Sequence, residues 1–153
     1  MGAVLGINTA SRPLELAFFR SMVCEADGVT ISEFPIRYDS WFVPLATAFG
    51  LGRRRAGVRI GEGVVTVRLG WAFRARIPLN TIRSAGPDSG GVTGWGVHGF
   101  GGHWLVNGSA KGLVRLELDP PVRAYAVQVP VRLRELRLSL DQPDVFLAAL
   151  RKN

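Results

Sequence analysis

The chain has 153 residues, 47% hydrophobic and 20% charged, which fits one globular domain and excludes a disordered segment. Its single cysteine, Cys24, excludes an internal disulfide or a cysteine metal cluster and indicates a reducing, cytoplasmic location. The formal net charge of +7 at pH 7 favours anionic partners.

Residues 1–27 show no dominant structural period, and a short strand is expected at Gly28–Ser32. The N-terminus lacks the basic stretch and apolar run of a secretory signal. The longest apolar run, Trp41–Leu51, contains Pro44 and is far shorter than the ~20 residues of a membrane-spanning helix. We expect residues 1–33 to form an N-terminal extension that packs on a domain of residues 34–153.

Short strands are predicted from residue 34 onward by alternating apolar and polar side chains. A first strand over Phe34–Val43 is followed by a basic loop, Phe49–Gly57, with three consecutive arginines. The next three strands are Val58–Gly61, Val64–Leu69 and Ala72–Pro78. The strand Ala72–Pro78 is expected to place Phe73, Ala75 and Ile77 in the core, with Trp71, the residue before it, on the same face. Arg74 and Arg76 are expected on the opposite face.

The excess positive charge lies within this run of strands. Residues 45–87 contain eight arginines and one acid, Glu62, whereas bases and acids balance elsewhere. A GC-rich genome explains arginine in place of lysine but not the missing acids. Alternatively, the loop is simply solvated, and Glu117 or Asp119 neutralises the strand arginines. The predicted anion- or lipid-binding residues are Arg53, Arg54, Arg55, Arg59, Arg68, Arg74 and Arg76.

A glycine-rich segment over residues 85–102 is predicted to be a long loop, and such loops are often functional. Gly94, Gly96 and Gly99 match a dinucleotide fingerprint only formally, because no βαβ unit surrounds them. Two histidines without a cysteine or carboxylate make a poor metal site, so no metal or cofactor is predicted. The aromatic side chains could instead close one end of a barrel. The candidate pocket residues are Trp95, His98, His103, Trp104 and Asn107.

The remainder of the chain is predicted to add strands and one helix. The helix begins near Asp141, which can accept hydrogen bonds from the first free amides, and Pro143 suits its first turn. An apolar stripe that includes Phe146 faces the core. The strands are His103–Val106, Gly112–Leu118, Val122–Val129 and Leu133–Leu140.

These segments resemble bacterial pleckstrin-homology-like (PH-like) domains, of an uncharacterised actinobacterial type. The resemblance covers residues 34–153 and is carried by Val58–Val67, Gly70–Ile82, Gly94–Ser109 and Leu136–Leu150. It implies a mostly β fold: a small barrel or sandwich of about seven antiparallel strands, capped by one C-terminal α-helix. Relatives bind phosphorylated lipid heads near the first strand-to-strand loop, or bind proteins. The triple arginine matches that position, but the lysine-led spacing of lipid-binding members is absent.

From the resemblance and the charge distribution we expect a non-enzymatic binding module. It would be cytoplasmic and would dock its arginine-rich surface on an acidic protein or on the inner face of an anionic membrane. The alternatives are a protein-interaction scaffold or homo-oligomer without a lipid role, and a small-ligand carrier or enzyme that uses residues 94–109. Nucleic acid ranks lower, because Trp71 and Phe73 are expected in the core, away from the arginines.

Overall fold

The computed structural model describes residues 24–26 and 29–153, with side chains from Ile31 onward. They form ten β-strands, two α-helices and two short 3-10 helices, the latter at Arg53–Arg55 and Leu79–Thr81. The helices are α1 (Phe42–Ala48) and α2 (Pro143–Lys152). The strands are β1 (Cys24–Ala26), β2 (Val29–Phe34), β3 (Ala56–Gly61), β4 (Val64–Leu69), β5 (Phe73–Pro78), β6 (Ile82–Pro87), β7 (Gly96–Phe100), β8 (His103–Asn107), β9 (Leu113–Ala126) and β10 (Val129–Ser139).

The ten strands make one sheet, so the predicted mostly β architecture with a C-terminal helix is confirmed. Nine strands follow the order β1-β2-β3-β4-β5-β9-β10-β8-β7, and β6 pairs with β9 off this path. The order has two free ends, so the sheet is open and the barrel, one of the two predicted forms, is wrong. The long strand β9 pairs with β5 along its C-terminal end and with β6 along its N-terminal end, which branches the sheet instead of closing it. One pair, β8 with β10, is parallel, contrary to the all-antiparallel expectation.

The core lies on one face of the sheet and under α2. Along β3, β4 and β5 the core-side residues are buried and the intervening arginines are exposed, as the alternation predicts. Phe146 of α2 is fully buried and meets the Phe34 ring edge-on at 5.2 Å. Full burial of an aromatic side chain of this size contributes about 2–3 kcal/mol, so α2 is an integral part of the core.

Several element boundaries differ from the prediction. Phe34–Val43 is not one strand: β2 ends at Phe34, and α1 begins at Phe42. Pro44 fits the first turn of α1, where a backbone N–H has no helical partner. The predicted strands Gly112–Leu118 and Val122–Val129 are not separate: Leu113–Ala126 forms one strand that includes Pro120 and Pro121. The N-cap of α2 is Gln142, without a side-chain cap bond, so the predicted capping role of Asp141 is wrong.

The predicted N-terminal extension lies largely outside the described residues, in 1–23 and 27–28. Its described part pairs with the sheet, since β1 pairs with β2 and β2 pairs with β3. The predicted boundary between residues 33 and 34 falls inside β2. Within the described residues, no helix has the length and apolar character needed to cross a bilayer.

Candidate anion-binding surface

The solvent-facing side of β3, β4, β5 and β9 carries a row of directly opposed residues. Gly57 lies opposite Arg68, Arg68 opposite Arg74, and Arg74 opposite Tyr125. The Arg74 guanidinium carbon is 5.4 Å from the centre of the Tyr125 ring, within cation–π range. Two arginines are thus side by side on neighbouring strands, and the aromatic ring orients one of them.

A second row, two residues further along the strands, extends the positive charge. Arg59 lies opposite Thr66, which lies opposite Arg76. Arg123 and Arg132 are exposed and face each other across β9 and β10. We call the exposed arginines of both rows the basic face: Arg59, Arg68, Arg74, Arg76, Arg123 and Arg132.

The two last members were not predicted. The predicted strand Val122–Val129 contains the alternation Arg123-Ala124-Tyr125-Ala126, in which both alanines are buried. Alanine is too small and too common on surfaces to mark a core face by itself. That alternation was the available signal, and it places Arg123 on the same side as Tyr125.

A cleft of about 650 Å³ opens at one end of the basic face. Arg54 and Arg55 reach it from the 3-10 helix Arg53–Arg55, which we call the triple-arginine turn. The β4–β5 and β9–β10 turns form its other walls. Among the described residues, four arginines and no carboxylate line it; the lining residues are Arg54, Arg55, Arg68, Gly70, Trp71, Arg74, Tyr125 and Gln128. The structure therefore brings together four of the seven predicted anion-binding arginines.

Trp71 belongs to this cleft and not to the core, so the predicted core position is wrong. Its side chain is 51% exposed, whereas Phe73, Ala75 and Ile77 are buried as predicted. The strand alternation begins only at Phe73, because residues 70–72 form the β4–β5 turn, with Gly70 at a φ of +52°. The Trp71 indole N–H donates to the Phe49 carbonyl at 2.8 Å, which fixes the ring beside the arginines.

Exposed apolar side chains surround this end of the sheet. The β9–β10 turn is joined to the β4–β5 turn by a hydrogen bond from the Val127 N–H to the Ala72 carbonyl at 2.7 Å. Trp71 is bonded to Phe49, the residue that follows α1. We call this set the apolar rim: Leu45, Phe49, Trp71, Val127 and Val129, each at least 47% exposed.

Most arginines at this end have no carboxylate partner among the described residues. Arg59 is the exception on the basic face, with its Nε 2.6 Å from a Glu33 carboxylate oxygen. The suggested neutralisation by Glu117 or Asp119 is wrong, because the β5–β9 register places Tyr125, not an acid, opposite Arg74. Glu117 instead accepts from the Ser84 hydroxyl, and Asp119 lies 4.0 Å from Arg83.

The triple-arginine turn adjoins a buried tyrosine. The Tyr38 hydroxyl donates to the Leu51 carbonyl at 2.6 Å. Burial raises the pKa of Tyr38 to about 12, partly offset by the charge of Arg53. Tyr38 therefore stays neutral at pH 7 and does not cancel the positive charge of the cleft.

The five candidate pocket residues do not line one cavity. His103 lines a separate shallow cleft with Arg83 and Asp119, and exposed His98 has its Nε2 2.7 Å from the Trp95 carbonyl. Asn107 is fully buried and donates to the Gly94 carbonyl at 2.9 Å. Half-buried Trp104 has a buried indole N–H without a partner among the described residues.

Trp95 and Asn107 belong instead to a polar network that holds the glycine-rich segment to the sheet. Asp39 accepts from the Ser109 hydroxyl at 2.7 Å and from the Trp95 indole N–H at 2.9 Å. These two hydrogen bonds keep the pKa of Asp39 below its usual value, against a smaller opposing effect of burial, and the Lys111 charge adds to them. The network therefore stabilises the ionised form of the Asp39 carboxylate.

A second carboxylate, Asp88, anchors the start of the same segment. Its side chain is only 2% exposed and is paired with Arg137 and, at 3.0 Å, with Arg115. Burial raises the pKa of Asp88, but hydrogen bonds from Arg137 and the Gly90 N–H, with both arginine charges, outweigh it and lower the pKa. Asp88 is therefore ionised at neutral pH.

Comparisons with protein-family models, with curated proteins and with solved structures give no match. The chain's own residues are therefore the only guide to its function.

Proposed function

We propose that this protein is a non-enzymatic binding module that docks the basic face, the triple-arginine turn and the apolar rim on an anionic membrane surface. The observation that carries the proposal is the cleft itself. Four arginines line it with no carboxylate from the described part of the chain, and exposed apolar side chains lie at the same end of the molecule. This combination suits the surface of an anionic bilayer, where negatively charged headgroups lie above apolar acyl chains.

The energetics favour a membrane over a soluble anion. Each basic residue near an anionic leaflet contributes about 1 kcal/mol. Tryptophan has an affinity for the headgroup region, where its ring meets hydrocarbon and its N–H meets polar groups. In Trp71 the N–H is already bonded to Phe49, so the ring can enter the interface without leaving that donor unpaired.

The PH-like classification belongs to the same proposal. The antiparallel meander from β2 to β5 and the C-terminal helix support it. In this assignment the triple-arginine turn corresponds to the basic loop of lipid-binding members. The proposed location is the inner face of the membrane, where anionic lipids give the leaflet a negative potential.

Sedimentation with liposomes tests the proposal. We expect binding to vesicles that contain anionic lipid, none to neutral vesicles, and weaker binding when salt screens the charges. Arg54→Ser/Arg55→Ser should weaken binding about thirtyfold, from two lost contacts of ~1 kcal/mol each.

A matched control removes two positive charges elsewhere. Arg151 lies beside Gly63 in a groove at the other end of β4. Arg151→Ser/Lys152→Ser should therefore leave vesicle binding nearly unchanged. Equal loss in both double variants would indicate a response to net charge alone. Tighter binding to an acidic peptide or to single-stranded oligothymidine than to vesicles would reassign the surface to protein or nucleic acid.

A further inference from the structure

We propose that the cleft selects a phosphomonoester headgroup, of the phosphatidic acid type, over headgroups that carry one negative charge. This inference rests on the proposed membrane docking and names the chemical group that the docking surface recognises. It concerns the cleft lined by Arg54, Arg55, Arg68 and Arg74, and not the whole basic face.

The residues that carry donors into the cleft come from separate segments of the chain. Arg54 and Arg55 come from the triple-arginine turn, Arg68 and Arg74 from two neighbouring strands, and Gln128 from the β9–β10 turn. A tetrahedral phosphomonoester has three terminal oxygens that accept hydrogen bonds from different directions. A carboxylate accepts in one plane only, and a phosphodiester has two terminal oxygens. Four arginines from separate segments around one cleft therefore match the phosphomonoester best.

The charge of the cleft points to the same ligand. Arg68 and Arg74 are directly opposed across β4 and β5, where like charges destabilise the pair. An anion between them relieves this repulsion, and the relief grows with the charge of the anion. A phosphomonoester carries about −1.5 to −2 at neutral pH, compared with −1 for a phosphodiester.

The walls of the cleft are held in place before a ligand arrives. Gly57, opposite Arg68, has no side chain to fill the space above the strand. A Cβ on Gly70 would collide with the Gly50 carbonyl oxygen, so glycine allows the β4–β5 turn to pack against the chain after α1. The Arg74 side chain is oriented by the Tyr125 ring. A preformed set of donors reduces the entropic cost of binding.

The apolar rim identifies the source of the phosphate as a lipid. Trp71 lines the cleft, and Phe49 is bonded to it through its carbonyl. Acyl chains below a bound headgroup would contact these exposed rings, whereas a soluble phosphate would leave them in water. Glycerol 3-phosphate, the same headgroup without chains, should therefore compete only at millimolar concentrations.

The test compares vesicles of phosphatidic acid with vesicles of phosphatidylserine, adjusted to equal zeta potential. We expect about tenfold tighter binding to phosphatidic acid, the effect of one additional charge-assisted hydrogen bond. Arg68→Lys/Arg74→Lys keeps the charge but loses the planar fork of donors. This variant should retain binding to phosphatidylserine and lose most of the preference.

Arg123→Lys/Arg132→Lys is the matched control, because both residues lie on the basic face but outside the cleft. It should keep the full preference. Equal binding of the unaltered protein to both vesicle types would overturn the headgroup selection and leave membrane docking intact. Binding to neither would overturn the docking itself. Micromolar competition by glycerol 3-phosphate would show a soluble phosphate ligand and overturn the lipid assignment.

Discussion

The outer side of the sheet contains arginines in two contrasting environments. At one end, Arg115 and Arg137 share the buried carboxylate of Asp88. At the other end, Arg68, Arg74 and Arg76 have no carboxylate within 4.0 Å among the described residues. The first set is part of the structure, and the second is available to a ligand. The two sets of arginines differ in whether a carboxylate lies close enough to pair with them.

The contrast runs along individual strands. The N-terminal part of β9 has Arg115 and Glu117 on its outer side, whereas the C-terminal part has Arg123 and Tyr125. No acid occurs between residues 120 and 134, across the β9–β10 hairpin. Charge alone cannot stabilise that end of the sheet, because like charges repel across strands. Its stability comes from the buried alanines and from the core beneath them.

Acidification should change stability most, because it protonates both carboxylates that hold the glycine-rich segment, those of Asp39 and Asp88. The pKa values of Asp39 and Asp88 are lowered in the folded protein. At a pH between the folded and unfolded pKa values, the unfolded chain binds more protons than the folded protein. Their contribution is therefore complete above the ordinary value of 3.8 and is lost as the pH falls through the folded pKa values.

Urea denaturation followed by tryptophan fluorescence measures this effect. The free energy of unfolding should change little from about pH 7 to pH 5 and fall steeply below about pH 4. The variant Asp39→Asn/Asp88→Asn should be less stable at pH 7 and should show a shallower acid dependence. Equal slopes in the variant and the unaltered protein would mean that other carboxylates cause the acid sensitivity.

Asp88→Asn alone should have the next largest effect. It leaves the guanidinium groups of Arg137 and Arg115 without their buried counter-charge. Loss of one partner of a buried pair costs about 3–5 kcal/mol. We expect about 2–3 kcal/mol here, because the Arg115 side chain is 43% exposed and is partly solvated. Urea denaturation at pH 7 measures the loss, and vesicle binding should stay unchanged, since Asp88 is remote from the cleft.

Arg68→Ser/Arg74→Ser should give the opposite result. Both side chains are exposed, so the free energy of unfolding should change by less than about 0.5 kcal/mol. Binding to anionic vesicles should fall about thirtyfold, from two contacts of ~1 kcal/mol each. A stability loss comparable to that of Asp88→Asn would place these arginines in the structural set and erase the contrast.

The sequence predicted the two faces of β5 because phenylalanine, alanine and isoleucine alternate there with arginine. It did not predict that Trp71 lies in the β4–β5 turn, because the alternation alone does not show whether the strand begins at Trp71 or at Phe73. The course of β9 was missed for a related reason. Prolines usually interrupt strands, but here they lie between the segments that pair with β5 and β6.

The partners of the arginines were beyond prediction for a different reason. Asp88 lies in a predicted loop, 27 residues before Arg115 and 49 before Arg137. Only the β6–β9 and β9–β10 registers bring these three residues together. The cleft likewise depends on three segments whose proximity is tertiary. Regional charge was therefore visible in the sequence, and the division of arginines into paired and unpaired sets was not.

Arg59 differs from the other arginines discussed for the basic face because it pairs with Glu33. Both side chains are exposed, 65% and 43%, so the pair contributes less than about 1 kcal/mol to stability. Glu33→Gln should release Arg59 and tighten vesicle binding about twofold, with the unfolding curve unchanged. Glu62→Gln removes the same charge from the β3–β4 turn, at the end of the strands away from the cleft, and should have a smaller effect. If the two variants bind equally, net charge governs docking at this position; if Glu33→Gln binds more tightly, a freed guanidinium on the face itself is responsible.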